Sequence, residues 1–573
     1  MEYNFISFHK SNILKLIKKN QFMLISKKNL EYCVVFLAII VSIELYPRFQ
    51  QFDGLDANIY LGYINNYKEL FHIYGLTYYS SRLAYIFPSI VFSKIFGIDN
   101  GVYLLNCLIL FFYAFFLNRI VSYKNEATFI PISFLVFASS ILIARTSWTC
   151  YEFIACFYLL AHVSYLLSDQ KYKFQLSGFF AYLSVNCNMF FLALSGISFL
   201  LFYFLNKNKL NKIKYAKEII YGFIFGFSFI TLIHLILIDF EKVYFIERAQ
   251  LDMSKELMSG LSKQWFVSFE KIFERQIFFL LPFIYIYFGL VYFTFEKIKN
   301  YSLVDKFSIF YLISMSSFGI FMHYAFDRPW FAYEYKTIYF YVPTSLVSAV
   351  IISKILFKKK IDYKILLSII FLLYLTINFN DLSYKEIPLD YYKYFLLILM
   401  IIYPILFTLR KYSYYLIISL LVFTPSLLMF SMPKYHYTFN YFNRDISKIN
   451  HEKMQCLVSF QNNVLKIVDS YDKTFKFLYI SGVPYLSAIQ SSFLWGYSKI
   501  QVDLNNDNEV IFDQEESILY NKADFIVILA DKYEHFEILS NKLNSDNYIK
   551  KNDEFNCYAG NTSIHYQVYK KNK

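Results

Sequence analysis

Apolar runs of membrane-span length recur along this chain, and no other feature constrains its fold as strongly. A helix crossing a bilayer needs about 20 apolar residues, because lipid offers no partner for an unpaired backbone group. Thirteen runs stand out, at 30–46, 101–120, 128–144, 152–167, 174–187, 189–205, 219–238, 277–294, 307–325, 338–356, 365–378, 391–408 and 413–431. Several are short by this measure, above all 174–187 and 365–378. Composition agrees: 57% of the 573 residues are hydrophobic and 17% are charged, where soluble domains have about 45–50% and about 25%. That balance excludes a disordered chain, a collagen-like fibre and a disulfide scaffold, and it argues against an all-soluble enzyme.

Lysine and arginine in short loops set the orientation, since positive loops stay cytoplasmic. The leading segment carries Lys10, Lys15, Lys18, Lys19, Lys27 and Lys28. With it inside, Arg119, Lys124, Lys171, Lys173, the Lys207–Lys217 cluster, Lys297, Lys299, Lys306, Lys354–Lys364, Arg410 and Lys411 also fall inside. The +13 formal charge therefore reads as orientation rather than as a nucleic-acid surface. The run 83–96 is short and contains Pro88 and Lys94, so it reads as an amphipathic helix on the outer interface. Counting it as a crossing would put the Lys207–Lys217 cluster outside. The basic lead is long and lacks a small-residue cleavage site, unlike a signal peptide.

The expected fold is a polytopic α-helical membrane protein of about thirteen transmembrane helices, N-inside and C-outside. It divides into a cytoplasmic basic segment (1–29), a transmembrane domain (30–431) with a large first outer loop (47–100), and an extracytoplasmic tail (432–573). The tail reads as a small α/β domain, with strands at 475–481, 491–497, 523–531 and 564–570 and helical spacing at 446–470 and 533–544. Gly482 and Pro484 read as a turn. Cys456 and Cys557 lie in the tail, where an oxidising compartment permits a disulfide; the other five cysteines lie in or beside spans.

The most informative stretch is FDGLDANIYLGYINNYKELFHIYGLTYYSSRLAYIFP, residues 52–88. Asp53 and Asp56 follow the first span directly, and Tyr60, Tyr63 and Tyr67 recur after Asp56 at helical spacing. An Asp at this position suits a helix N-terminus, as a cap or through the dipole. FDGLDANIYLGY resembles the acidic motif of the GT-C glycosyltransferases, in the protein O-mannosyltransferase and aminoarabinose transferase branch. Asp56 and Tyr60 match that motif's Asp and Tyr, while Ala57 stands where the family has Glu. Residues 81–97 are similar to the second juxtamembrane helix of the family's first outer loop. The resemblance implies sugar transfer from a polyprenyl-phosphate-linked donor on the outer membrane face, with Asp56 as general base and inversion at the anomeric carbon.

A second outer motif is RTSWTCYEF, 145–153, where Glu152 begins a span with Arg145 nearby. An acidic residue at this place recurs in the superfamily, and a carboxylate at a span boundary must be hydrated, paired or functional. Asp56 and Glu152 are thus the catalytic candidates, with Asp53, Tyr60 and Arg145 in support. A departing phosphate needs cations. Arg328 and Lys336, in FMHYAFDRPWFAYEYK at 321–336, are the first choices, followed by Arg275 and Arg82. Any one of these cations also fits interfacial snorkelling. His72 and His323 read as ordinary polar residues, and Asn186 and Asn188 as turn residues.

No metal ligand is assigned, and whether a divalent metal takes part is left open, as is the acceptor (lipid, glycan or protein). Membrane lipids are the remaining partners expected, and nucleic acid is not. A flippase or transporter of polar lipids or polysaccharides is the alternative from another class, and a lipid-linked polysaccharide polymerase or ligase is a third. Transporters carry repeated halves and ionisable groups in mid-membrane, whereas the acidic groups here gather at the outer boundary. Composition and the lack of a eukaryotic retention signal point to a bacterial inner membrane.

Overall fold

The protein is described from a computed structural model. It describes residues 32–33, 36–37, 55–121, 151–206, 211–240, 246–252, 301–325 and 339–358 of the helical part. In the tail it describes the strands 475–479, 525–530, 548–550, 555–559 and 562–571, with helical residues 533, 534, 537, 540 and 541. The candidate spans 128–144, 277–294, 365–378, 391–408 and 413–431, most of 30–46, and the domain boundaries at 29 and 431 lie outside these residues.

The helices are α1 (Leu55–Tyr74), α2 (Leu83–Phe96), α3 (Ile98–Val121), α4 (Tyr151–Leu166), α5 (Lys173–Cys187), α6 (Phe190–Asn206), α7 (Lys212–Leu237), α8 (Leu303–Ala325) and α9 (Tyr341–Lys358). All but α1 and α2 fall on runs expected to cross the membrane. Within the described residues, segments of α3, α7 and α8 are long and apolar enough to do so by themselves. α2 is a shorter apolar helix that contains Pro88. α1 is broken at Asn66, whose φ of −131° and ψ of 49° leave the helical region.

Packing is closest where side chains vanish. α7 lies on α5, and the helices touch at Gly178, Gly222 and Gly226. A methyl group on Gly178 would run into the Ile219 carbonyl, one on Gly222 into the Gln175 carbonyl, and one on Gly226 into the Tyr182 side chain. In lipid, where apolar surface gains nothing by leaving its solvent, such small-residue contacts are a main source of helix association. The short span α5 is held on its other side as well. His162 on α4 binds Ser177 of α5 (2.8 Å) and Ser198 of α6 (2.5 Å), so one buried imidazole joins three helices. Tyr113 of α3 meets Ser345 of α9 at 2.9 Å, and Tyr311 of α8 donates to the Leu194 carbonyl of α6 at 3.3 Å.

The tail contains a five-stranded mixed sheet: β1 (Phe475–Tyr479), β2 (Phe525–Ala530), β3 (Tyr548–Lys550), β4 (Phe555–Ala559) and β5 (Thr562–Lys571). β1 pairs parallel with β2, and β2 pairs antiparallel with β5. β3 and β4 are both antiparallel to β5, at different points along its ten residues. Three of the four expected strands are present; 491–497 lies outside the described residues, and β3 and β4 are additional.

Candidate active site

The site is built on the connection between α1 and α2, residues 75–82. Gly75, with φ of +68°, ends α1 where a side chain would be strained. Thr77 and Ser80 then close a turn reciprocally: the Thr77 amide donates to Ser80 Oγ at 2.8 Å and the Ser80 amide to Thr77 Oγ1 at 3.1 Å. Tyr67, one of the tyrosines spaced along α1, donates to the Ser80 carbonyl at 3.0 Å and meets His234 Nδ1 of α7 at 3.2 Å. Burial pushes the Tyr67 hydroxyl pKa well above its ordinary value, so it stays a donor.

This loop delivers Arg82 into the interior, where it is fully buried. Its guanidinium carbon lies 3.7 Å from the ring centroid of Tyr78 and 3.1 Å from that of Tyr151, so the planar group is held between two aromatic faces. Nη1 donates to the Tyr60 hydroxyl. The Tyr60 ring meets Tyr79, Tyr85 and Tyr151 edge-on, with centroids 5.5, 5.3 and 5.7 Å away. Among the described residues, Nε and Nη2 of Arg82 have no hydrogen-bond partner. Burial works against the charge, but the Tyr151, Tyr60 and Glu152 oxygens outweigh it and hold the pKa above the ordinary range. Glu152, 2% exposed in the first turn of α4, is the carboxylate among these.

Asp56 is the second residue of α1, one helical turn before Tyr60; its side chain lies outside what the structure describes. Of the residues singled out from sequence, the structure brings Arg82, Tyr60 and Glu152 together and places Asp56 on the helix that carries Tyr60. Asp53, Arg145, Arg275, Arg328 and Lys336 lie outside the described residues. So does Cys456; Cys557 sits on β4 and His323 on α8, with side chains that are not described. His72 is exposed in the last turn of α1. Among the described residues no cluster of three or more His, Cys, Asp or Glu is arranged to hold a metal.

One expectation needs correction. Asn186 and Asn188 read from sequence as turn residues; Asn188 does lie in the turn between α5 and α6, but Asn186 lies within α5 and is 1% exposed. Its side chain bonds Ser81 of the α1–α2 connection and Ala84 in the first turn of α2. Asn188 caps the end of α5, accepts from the Phe190 amide at 3.0 Å and donates to the Tyr339 hydroxyl at 2.9 Å. Sequence reasoning also misses Tyr78 and Tyr151. Their only signal is position, Tyr78 four residues before Arg82 and Tyr151 directly before Glu152.

The chain is similar in structure to ArnT from Cupriavidus metallidurans, in a crystal structure bound to undecaprenyl phosphate. The TM-score is 0.56 at 10% sequence identity, over 95% of this chain and 98% of that one. The apo state of the same protein aligns over the same shares, with a TM-score of 0.47 and 8% identity. No family model matches the sequence, and no curated protein matches it. The similarity shows a shared fold, that of a polytopic helical membrane protein.

Proposed function

We propose that this protein transfers a sugar from a polyprenyl-phosphate donor to an acceptor hydroxyl on the extracytoplasmic face of the membrane. The observation that carries the reading is Arg82, a buried cation held between two tyrosine rings with Nε and Nη2 unpartnered among the described residues. A planar guanidinium with open donors matches the geometry of a phosphate oxygen pair. The shared fold adds weight, because the ArnT crystal structure contains undecaprenyl phosphate.

In the reaction, the acceptor oxygen forms a bond to the anomeric carbon as the bond from that carbon to the phosphate oxygen breaks. The electron pair leaves with the phosphate, where Arg82 neutralises it, joined by Arg275, Arg328 and Lys336 from other outer loops. Asp56 takes the acceptor proton as general base. Tyr60 orients Arg82, and Glu152 balances its charge in the absence of donor. Asp53 and Arg145 are supporting residues at the outer membrane boundary.

The test is turnover of purified protein in lipid nanodiscs with a panel of polyprenyl-phosphate sugars, following release of the polyprenyl phosphate. Asp56→Asn should lower kcat by roughly 100- to 10,000-fold, the usual contribution of a general base, with little change in donor KM. Equal turnover by wild type and Asp56→Asn would sink the base assignment. No turnover with any donor, together with movement of a polyprenyl-phosphate sugar across the bilayer, would favour a flippase.

A further inference from the structure

The first turn of α2 is capped from a different helix. Arg82 occupies its N-cap position, where Asp, Asn, Ser and Thr are preferred because a short side-chain oxygen can accept from an orphan amide. Arginine carries no acceptor, and Arg82 makes no capping bond of its own. The missing acceptor comes from Asn186, 102 residues along the chain from Ala84: its Oδ1 accepts from the Ala84 amide at 2.8 Å. Its Nδ2 donates to the Ser81 carbonyl at 3.3 Å. The two bonds straddle Arg82, one before it and one after. Tyr158 adds a third, donating to the Ala84 carbonyl at 3.0 Å. Asn186 is itself held, its backbone carbonyl accepting from Gln250 Nε2 at 2.5 Å.

An asparagine is suited to this place because it offers one acceptor and one donor on a planar group. Aspartate would keep the bond to the Ala84 amide but present an oxygen to the Ser81 carbonyl, and alanine would provide neither. We propose that Asn186 is a positioning residue for Arg82: it caps α2 in trans, which frees the N-cap position for an arginine and fixes the backbone from which the guanidinium enters the slot between Tyr78 and Tyr151. This role rests on the reading of Arg82 as a donor-phosphate group.

The experiment is a double-mutant cycle on the full-length protein in nanodiscs, with undecaprenyl phosphate as the probe and its Kd as the readout. The proteins are wild type, Asn186→Ala, Arg82→Met and the double variant, with Asn186→Asp alongside. Asn186→Ala should weaken binding about tenfold, the size of one lost helix cap, and Asn186→Asp by less. In the Arg82→Met background the same change should cost less than about twofold, because the group being positioned is gone. Equal losses in the two backgrounds, or wild-type binding by Asn186→Ala while Arg82→Met is impaired, would overturn the positioning role and leave the phosphate reading intact. Wild-type binding by Arg82→Met would overturn the phosphate reading, and this role with it. If Asn186→Ala does not fold, the cycle is run with Asn186→Asp, for which the same coupling is required.

Discussion

The guanidinium carbon of Arg82 lies 3.1 Å from the ring centroid of Tyr151, the residue that opens α4. The contact joins two motifs that are far apart in sequence, and its cation–π part is made by the ring face. Tyr151→Phe should therefore bind undecaprenyl phosphate within about twofold of wild type. Tyr151→Leu gives up a desolvated cation–π contact and should bind roughly 2- to 30-fold more weakly. Titration in nanodiscs separates the two.

Glu152 is buried beside this cation and acts on it electrostatically. Removing a carboxylate that acts on a buried cation leaves that charge less compensated. Glu152→Gln should lower the melting temperature clearly, and adding Arg82→Met should restore part of the loss. A double variant no more stable than Glu152→Gln alone would show that Glu152 is tied elsewhere.

The crossing of α5 and α7 gives a stability prediction independent of function. Gly222→Ala would drive a methyl group into the Gln175 backbone carbonyl, and overpacking against backbone costs about 1–3 kcal/mol or more. At Gly196 in α6, an added Cβ would meet nothing within 4 Å. Gly196→Ala should therefore leave the melting temperature unchanged or raise it, since alanine favours helix over glycine. Thermal unfolding in one detergent compares the pair.

Outside the spans, Lys68 of α1 bonds Asp239, just beyond α7, and holds its carboxyl below the ordinary carboxylate range. A carboxylate whose pKa is lower in the folded state stabilises the fold above its unfolded pKa and loses that effect as pH falls through the folded value. Both side chains are well exposed, so the effect is small and screened. The melting difference between wild type and Asp239→Asn should be slight at pH 7 in low salt. It should close below the ordinary carboxylate range, and also in 1 M NaCl, where the Debye length is about 3 Å.

Helices whose burial is written in long apolar runs were legible in the sequence, down to α5, which at 15 residues is short for a crossing. Its length makes sense once Gly178, Ser177 and their contacts are seen, because neighbours hold it on two sides. β3 and β4 escaped notice for a different reason. Tyr548–Lys550 is only three residues long and Phe555–Ala559 carries Asn and Cys, so neither has a full alternating pattern. Tyr60 and Glu152, which the structure brings to Arg82, could be picked out by position and by the family resemblance, and Arg82 ranked behind cations in later loops. What raises Arg82 is its burial between two rings, and what gives Asn186 a role is a contact across 102 residues. Local pattern carries neither kind of information.

The place of Arg82 at the start of α2 has an electrostatic consequence. The exposed amides of a helix N-terminus amount to about half a positive charge, and proteins usually set an acidic group or an anion there. Here a full positive charge stands at that end, and the first turn of α2 contains no acidic residue. Two positive sources thus coincide in a buried setting where Glu152 is the carboxylate acting on Arg82 among the described residues. An anion arriving at this point is attracted by both. The protein should accordingly melt at higher temperature as the concentration of a phosphate-bearing lipid rises above its Kd, and the rise should be lost when Arg82 is replaced.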